Sequence, residues 1–506
     1  MVAVEMSSTQ IMGIAGQKNS DGGLTVLAYA CEDASPCIKK GAVYNIDKAA
    51  QAVTSIVNKL EAALGADIAQ VYVGIGGQSL FTMGTTVSRS FEADTRITAS
   101  IVEEMVASAR SSQPDGLEII EVIPQEYKVS GGLHIDPVGV LGNHVEGRFL
   151  CVMARRGTLR RLESCFELAK TRVAGYFITS IEMARAVLSD AEMRSGCVLV
   201  DMGAGTTTVQ VYKDRLLRHL AVIPLGGQSI TRDISTLKMD EIDAEELKIK
   251  YARAYTDVSE LDTHEQVQYP YGSDGAMVSD RLLSEIAEAR QTEIIANVWN
   301  QVVLSGYAGS LMAGIVVTGG ASGMAGLDQA FKANTGVEKF RVAPYVALPV
   351  ESVVPEVLAR NGRMCSLLAL LASSRENCRV EEVPKSLFPE EVQDSTSAPE
   401  PVDEEDLLEK QKEEAARIAR EKEEREAEDR AATAARIAQE KADREAEERA
   451  AAEAIAAAER KAAEAARRRE RREKSLLGLI ERFGRRLADD IWNGEDDEND
   501  RKRNSR

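Results

Sequence analysis

Residues 197–212, CVLVDMGAGTTTVQVY, decide the reading of this chain. An apolar run ends at Asp201, a tight turn of small residues follows, and an alternating strand then opens on hydroxyls. Gly203 and Gly205 let backbone N–H groups approach an anion, and Thr206 and Thr207 add hydroxyl donors. Asp201, at the end of its strand, could hold a Mg²⁺ through water. After a basic turn comes LLRHLAVIPLGG (216–227), completing strand–turn–strand–turn–strand.

The chain opens on the same pattern. VAVEM (2–6), QIMGIAG (10–16) and LTVLAYA (24–30) read as three strands, the last two parted by the turn KNSDGG (18–23). VEMSSTQI (4–11) repeats the geometry of the first stretch, with Glu5 at the strand end and the hydroxyls of Ser7, Ser8 and Thr9 in the turn. The two copies lie about 195 residues apart, a weak internal repeat of architecture. Ala49, Val53, Ile56, Val57, Leu60 and Leu64 predict an amphipathic helix, followed by the short strand VYVGIGG (71–77). A third glycine break, VVTGGAS (316–322), could let an adenosine lie flat on backbone. Alone, each stretch is also an ordinary turn; together they suggest one phosphate clamp made by two facing hairpins. The traffic is α/β with mixed sheets. Between 84 and 162 a helix near 98–110, two apolar strands and a helix over 157–170 predict an α+β insertion. Residues 230–300 read as helical and charged, and RMCSLLALLAS (363–373) as a closing helix.

The 506 residues carry 81 Asp+Glu against 62 Lys+Arg, a net charge of −19, which argues against general affinity for nucleic acid. No run reaches the ~18 apolar residues of a membrane span, and MVAVEMSSTQ has no signal-peptide pattern. Seven cysteines and four histidines share no metal-ligand spacing, so zinc and a disulfide framework are both unexpected.

From 401 onward the composition changes, with 26 Lys+Arg against 31 Asp+Glu and only Phe483 and Trp492 as aromatics. AARIAREKEEREAEDRAAT (415–433) aligns with AARIAQEKADREAEERAAA (434–452). Glu421–Arg425, Glu426–Arg430, Glu440–Arg444 and Glu445–Arg449 are i,i+4 pairs in the favourable order. Either a lone solvated helix or a partly disordered charged spacer satisfies this pattern. Beyond it, Leu476, Ile480, Phe483, Leu487 and Ile491 form one stripe, flanked by Leu477 and closed by Trp492. Arg482, Arg485 and Arg486 border it, so 474–492 reads as an interfacial membrane helix or as a helix that docks on protein.

In order, spacing and wording these stretches resemble the actin–Hsp70–sugar kinase superfamily, and most nearly its bacterial FtsA cell-division family. The carriers are VYVGIGGQS (71–79), IPQEYKV (123–129), DPVG (136–139), VDMGAGTTTVQVY (200–212), IPLGGQSIT (223–231), EELKIKYA (245–252) and GIVVTGGAS (314–322). The resemblance implies an actin-like fold of two lobes, built on duplicated ribonuclease H-like mixed sheets, with ATP and Mg²⁺ between them. It assigns 1–83, 163–195 and 349–376 to the first lobe and 84–162 to the inserted subdomain. The second lobe takes 196–229 and 303–348, and 230–302 would be a helical subdomain that holds the tail of FtsZ. Then come a Pro-containing linker (377–406), the charged spacer (407–473), the amphipathic helix (474–492) and a charged tail (493–506).

Carried over by position, Glu5, Ser7, Ser8, Thr9 and Gln10 would form one phosphate loop. Asp201, Gly203, Ala204, Gly205, Thr206 and Thr207 would form the other, with Gly226 and Gly227 beside it. Glu5 and Asp201 would hold Mg²⁺ through water. Glu245 and Lys248 would border the nucleoside; Gly319, Gly320, Ala321 and Met324 would line the adenine; Glu182 would orient an attacking water. The family usually opens with Asp and often Lys where this chain has Glu5 and Gln10, which implies slow or absent hydrolysis. The function so implied is an adaptor on the cytoplasmic face of the inner membrane at the division site. It would tether the FtsZ ring to lipid, self-associate, and recruit later division proteins. The runner-up is an ATP-dependent phosphotransferase of the sugar kinase type, for which no convincing base Asp is visible.

Overall fold

A computed structural model describes residues 1–256, 267–272 and 275–379. The spacer, the amphipathic helix and all of the linker beyond Arg379 lie outside the described residues.

The three opening strands form as expected, Val2–Met6, Gln10–Lys18 and Leu24–Asp33, each antiparallel to the next. On the far side of Val2–Met6 lies Val71–Ile75, parallel to it, and then Val173–Ile178, parallel again. Short Val350–Ser352 closes the other edge. The second sheet repeats this plan. Cys197–Met202, Thr207–Lys213 and Leu216–Ile223 make the antiparallel meander, with Gly314–Thr318 and then Phe340–Val342 added in parallel. The central parallel strands are covered on both faces and are accordingly apolar almost throughout, as VYVGI and GIVVT are. The weak repeat in the sequence is therefore a duplication of sheet order, with Glu5 and Asp201 at equivalent strand ends.

Helix Ile46–Leu64 begins on an Asn45 side-chain cap and ends on Gly65 in the left-handed region. Its apolar stripe buries Val53, Ile56 and Leu60 completely against the first sheet. Burying side chains of that size contributes about 1.5–3 kcal/mol each. Helix Cys365–Ser373 covers the same lobe through Leu367, Leu368, Leu370 and Leu371.

The inserted segment is built on two long strands, Phe81–Arg96 and Leu141–Arg155, with Leu117–Val129 on the outer side and helix Ala99–Ser111 packed across them. Its own core contains Ile97, Met105, Tyr127 and Phe149. It extends the second sheet: Phe81 pairs with Ala221, and Thr82 Oγ1 both accepts from Leu220 N (2.8 Å) and donates to Leu220 O (3.2 Å). Gln125, from the IPQEY stretch, donates to Leu217 O at 3.1 Å and accepts from Arg218 Nη1 at 3.1 Å. Helix Arg156–Leu168, expected within the insertion as far as 162, instead buries Leu159, Leu162, Cys165 and Phe166 in the first lobe's core.

Among the described residues of 230–302, the expected helices are joined by a hairpin, Gln268–Tyr271 with Ala276–Ser279. Tyr269 of that hairpin stacks on Tyr251, ring centroids 3.7 Å apart, and Val278 enters the local core. The reading as wholly helical missed the period-two pattern in QYPY and AMVS, segments too short to outweigh their helical flanks. No described helix is long and apolar enough to cross a membrane.

Candidate functional site

The parallel strands of both sheets point their carboxyl ends at one cleft of about 990 Å³. Open α/β sheets place ligand sites at such strand ends, because the chain there leaves the sheet in turns rich in free backbone donors. Val2–Met6 is followed by Ser7–Gln10, Cys197–Met202 by Gly203–Thr206, and Gly314–Thr318 by the Gly319–Gly320 break. Residues from all three turns line the cleft.

The two hairpin turns face one another closely. A Cβ on Gly205 would sit 2.6 Å from Ser8 Oγ, so the second turn approaches the first by leaving the space to the Ser8 side chain. A Cβ on Gly226 would lie 2.5 Å from Gly203 O and 2.6 Å from Ala204 O. That close approach lets Gly227 N donate to Gly203 O (3.0 Å) and Gln228 N to Ala204 O (2.8 Å), docking helix Gly227–Ser235 on the turn. Gly319 has φ +90° and packs against Asp201 Oδ1 and Met202 O, where any side chain would collide.

Glu5 and Asp201 are half-buried carboxylates at the floor of the cleft. Burial pushes the Glu5 carboxyl up to about 7; Asp201's nearby charge pushes the same way, against a hydrogen bond from Ser366. Ser366 Oγ donates that bond at 2.6 Å. Burial likewise raises Asp201 to about 6. Two desolvated carboxylates side by side form an oxygen donor set suited to a hard divalent cation, held directly or through water.

On the opposite wall, Lys248 is 9 % exposed and its Nζ donates to Gly227 O (3.1 Å), Thr231 Oγ1 (2.9 Å) and Glu245 Oε2 (2.6 Å). Burial lowers its pKa, with Glu245 opposing. The single Thr231 hydroxyl proton goes to Glu245, with Gly227 O also within reach at 3.1 Å. Helix Glu241–Tyr251 thus presents Glu245 and Lys248 in one network, with Gly319, Gly320, Ala321 and Met324 also lining the cleft.

Four expected residues do not line the cleft: Gly205 and Gly226 lie behind it, against Ser8 and the Gly203–Ala204 carbonyls, and Thr207 and Glu182 turn away. Thr207 is fully buried and its hydroxyl is used on Leu225 O (2.9 Å), whereas Thr206 and Thr208 line the cleft, as strand alternation requires. Glu182, expected to orient water, does not line the cleft. It is 6 % exposed and accepts from Arg185 Nη1 and Ser373 Oγ, both at 2.6 Å. Sequence reasoning missed Thr231, Ser366, Arg363 and the Thr179–Ser180 helix start, all of which line the cleft. Of these, only the start of a helix directly after FIT was a readable signal.

The fold and this cleft can now be set beside known proteins. The family model for cell division protein FtsA matches residues 198–369, and the model for the SHS2 domain inserted in FtsA matches 77–153. The cell division protein FtsA of Streptococcus pneumoniae serotype 2 (strain D39) is 33 % identical over 345 residues, covering 67 % of this chain and 73 % of that protein. That of Porphyromonas gingivalis (strain W83) is 32 % identical over 321 residues, covering 63 % and 67 %. Among solved structures, a chain of the PilM–PilN type IV pilus biogenesis complex superposes with a TM-score of 0.52 at 16 % identity, covering 74 % of this chain and 98 % of that one. The duplicated sheets around a central cleft are the actin-like fold, and the chain belongs to the FtsA family of cell-division proteins.

Proposed function

We propose that this cell-division protein binds ATP with Mg²⁺ in the cleft and acts as an adaptor that tethers the FtsZ ring to the inner face of the cytoplasmic membrane. The observation that carries the nucleotide reading is the cleft itself. A hydroxyl-rich turn and a glycine turn meet where Gly205 leaves room for Ser8, and two half-buried carboxylates lie beside them. The turns supply backbone and hydroxyl donors for phosphate, and Glu5 and Asp201 supply oxygens for the ion that neutralises it. Bound there, ATP would hold the two lobes together as a structural ligand. Gln10 brings no charge to the phosphates and Glu182 is committed to Arg185 and Ser373, so turnover is slow or absent.

The remaining assignments follow the family. Residues 230–302 receive the FtsZ tail, copies associate in actin-like protofilaments, and the chain recruits later division proteins. Helix 474–492 lies in the headgroup plane. A single such helix is a marginal anchor, because its apolar side chains are only partly buried and GEDDEND (494–500) is repelled by anionic lipid. Several tails on one polymer multiply the attachment without any new contact.

Liposome co-sedimentation of the whole chain, with and without ATP·Mg²⁺ and an FtsZ tail peptide, tests this reading. Sedimentation should rise with ATP and carry the peptide down, and removal of 475–492 should leave the protein in the supernatant. Sedimentation that survives the removal would overturn the membrane assignment. Failure of the parent protein to retain ATP would overturn the nucleotide assignment.

A further inference from the structure

Glu5 and Asp201 stand at equivalent ends of the duplicated strands, yet the protein fixes them by different means. Asp201 is held by sterics. A Cβ on Gly319 would lie 2.4 Å from Asp201 Oδ1, so the short side chain already has backbone against it. Among the described residues its carboxylate has no hydrogen-bond donor. Glu5 reaches the same floor on a longer side chain, with one more rotatable bond to restrain. Its restraint is a hydrogen bond: Ser366 Oγ donates to Glu5 Oε2 at 2.6 Å. Among the described residues nothing donates to Oε1.

The donor stands on a rigid support. Ser366 is the second residue of helix Cys365–Ser373, whose Leu367, Leu368, Leu370 and Leu371 are completely buried. Seven residues on, and so on the same face of the helix, Ser373 Oγ donates to Glu182 Oε2 at 2.6 Å. A serine–carboxylate bond thus ties each end of this helix to the first lobe, and a slide or rotation of the helix would strain both. Glu5 and Ser366 both line the cleft, so their bond lies where a bound group meets the carboxylate. An ionised carboxylate accepts on both oxygens, and the bond to Ser366 leaves Oε1 for a cation.

We propose that Ser366 is a positioning residue for the divalent cation: by holding Oε2 it fixes the Glu5 side chain and leaves Oε1 for the ion that Asp201 also serves. This rests on the reading of the cleft as a site for ATP with Mg²⁺. The Ser366 hydroxyl is spent on Glu5, so it acts on the ion through that carboxylate. An Asp at this strand end would be too short to reach the hydroxyl and would not need it. The longer acid and the serine of the closing helix therefore form one unit, although 361 positions separate them in the chain.

The test measures ATP affinity of the full chain across a Mg²⁺ titration and in EDTA. In Ser366→Ala the Mg²⁺ midpoint of ATP binding should rise about 3- to 10-fold, the worth of one hydrogen bond, with affinity in EDTA unchanged within about 2-fold. Ser366→Thr keeps the hydroxyl and should return the midpoint to within about 2-fold of the parent. Ser366→Val, matched to Thr in shape but lacking the hydroxyl, should behave as Ser366→Ala does and replaces it should that variant not fold. On a Glu5→Asp background, Ser366→Ala should move the midpoint by less than about 2-fold, because the two groups act as a pair. An unmoved midpoint in Ser366→Ala or Ser366→Val, or an equal shift on the Glu5→Asp background, would overturn the positioning role. ATP weakened alike with and without Mg²⁺ would make Ser366 a structural residue and overturn it too. A parent whose ATP affinity ignores Mg²⁺ overturns the ion reading, and a parent that binds no ATP overturns the nucleotide reading; the positioning role falls with either.

Discussion

Glu5→Gln should abolish a pH dependence of stability that the parent protein shows above pH 6. In the nucleotide-free protein the Glu5 carboxyl lies at about 7, against about 4.5 for an unperturbed one. A carboxyl raised on folding binds its proton more tightly in the native state. Its contribution to stability is therefore fully present below about 4.5 and is lost as pH rises through 7. Asp201 contributes with the same sign, but its window closes at about 6. Between pH 6 and 8 Glu5 is thus the principal term of the pair, and the two pKa values give a fall of at most about 1.3 kcal/mol. Solvent reaches this half-buried group, so the measured fall should be smaller than that ceiling. With an unfolding entropy of about 2.1 cal/mol/K per residue, a chain of this size would melt lower by roughly 1–2 °C. The assay is thermal unfolding at pH 6, 7 and 8 in buffer free of nucleotide and Mg²⁺, for the parent and for Glu5→Gln. The variant should be flat over this range relative to the parent. An equal fall in both proteins would refute the reasoning, because the dependence would then belong to the general charge of the chain.

Gly226→Ala should detach helix Gly227–Ser235 from the Gly203–Ala204 turn, since its Cβ would meet two carbonyl oxygens at 2.5 and 2.6 Å. A stability loss of about 1–3 kcal/mol should accompany weakened ATP binding in equilibrium titration. Lys248→Met removes the cation that ties Gly227, Thr231 and Glu245 together and should cost about 1–3 kcal/mol by urea unfolding, with ATP affinity reduced. Gln125→Leu deletes two hydrogen bonds, about 1 kcal/mol each, at the joint between the insertion and Leu216–Ile223. Amide exchange should accelerate on that strand and leave the insertion's own core around Phe149 unchanged.

Much of the fold was legible because its signals are periodic and local. The opening meander, helix Ile46–Leu64 and the strand before Gly319 each carry their own pattern, and the recurrence of one acidic strand end exposed the duplication. What failed was local in another way. The hairpin Gln268–Tyr271 with Ala276–Ser279 is held by stacking of Tyr269 on Tyr251 and by Val278 in a shared core. Four residues of alternation are too few to declare such a strand against helical neighbours. The boundary at 162 failed because it cuts helix Arg156–Leu168, and the sequence does not say which lobe receives Leu159 and Phe166.

The site was legible wherever a turn needed glycine and illegible wherever it depended on the phase of a side chain. Thr206, Thr207 and Thr208 are chemically alike, yet alternation along the strand sends the middle one inward to Leu225 O. On helix Thr179–Val187 the same logic runs at about 100° per residue. Thr179, Ser180 and Met183 fall within one arc of about 100° and all line the cleft, whereas Glu182 falls about 60° outside it. Its chemistry suits catalysis, but its phase points it at Arg185 and Ser373, and those partners come from tertiary packing that sequence spacing does not encode. With the carboxylate turned away, this helix meets the cleft through Thr179, Ser180 and the thioether of Met183. Such a surface offers no base, and the carboxylates at the floor of the cleft, Glu5 and Asp201, come from the strand ends, where the recurring acidic position made them legible.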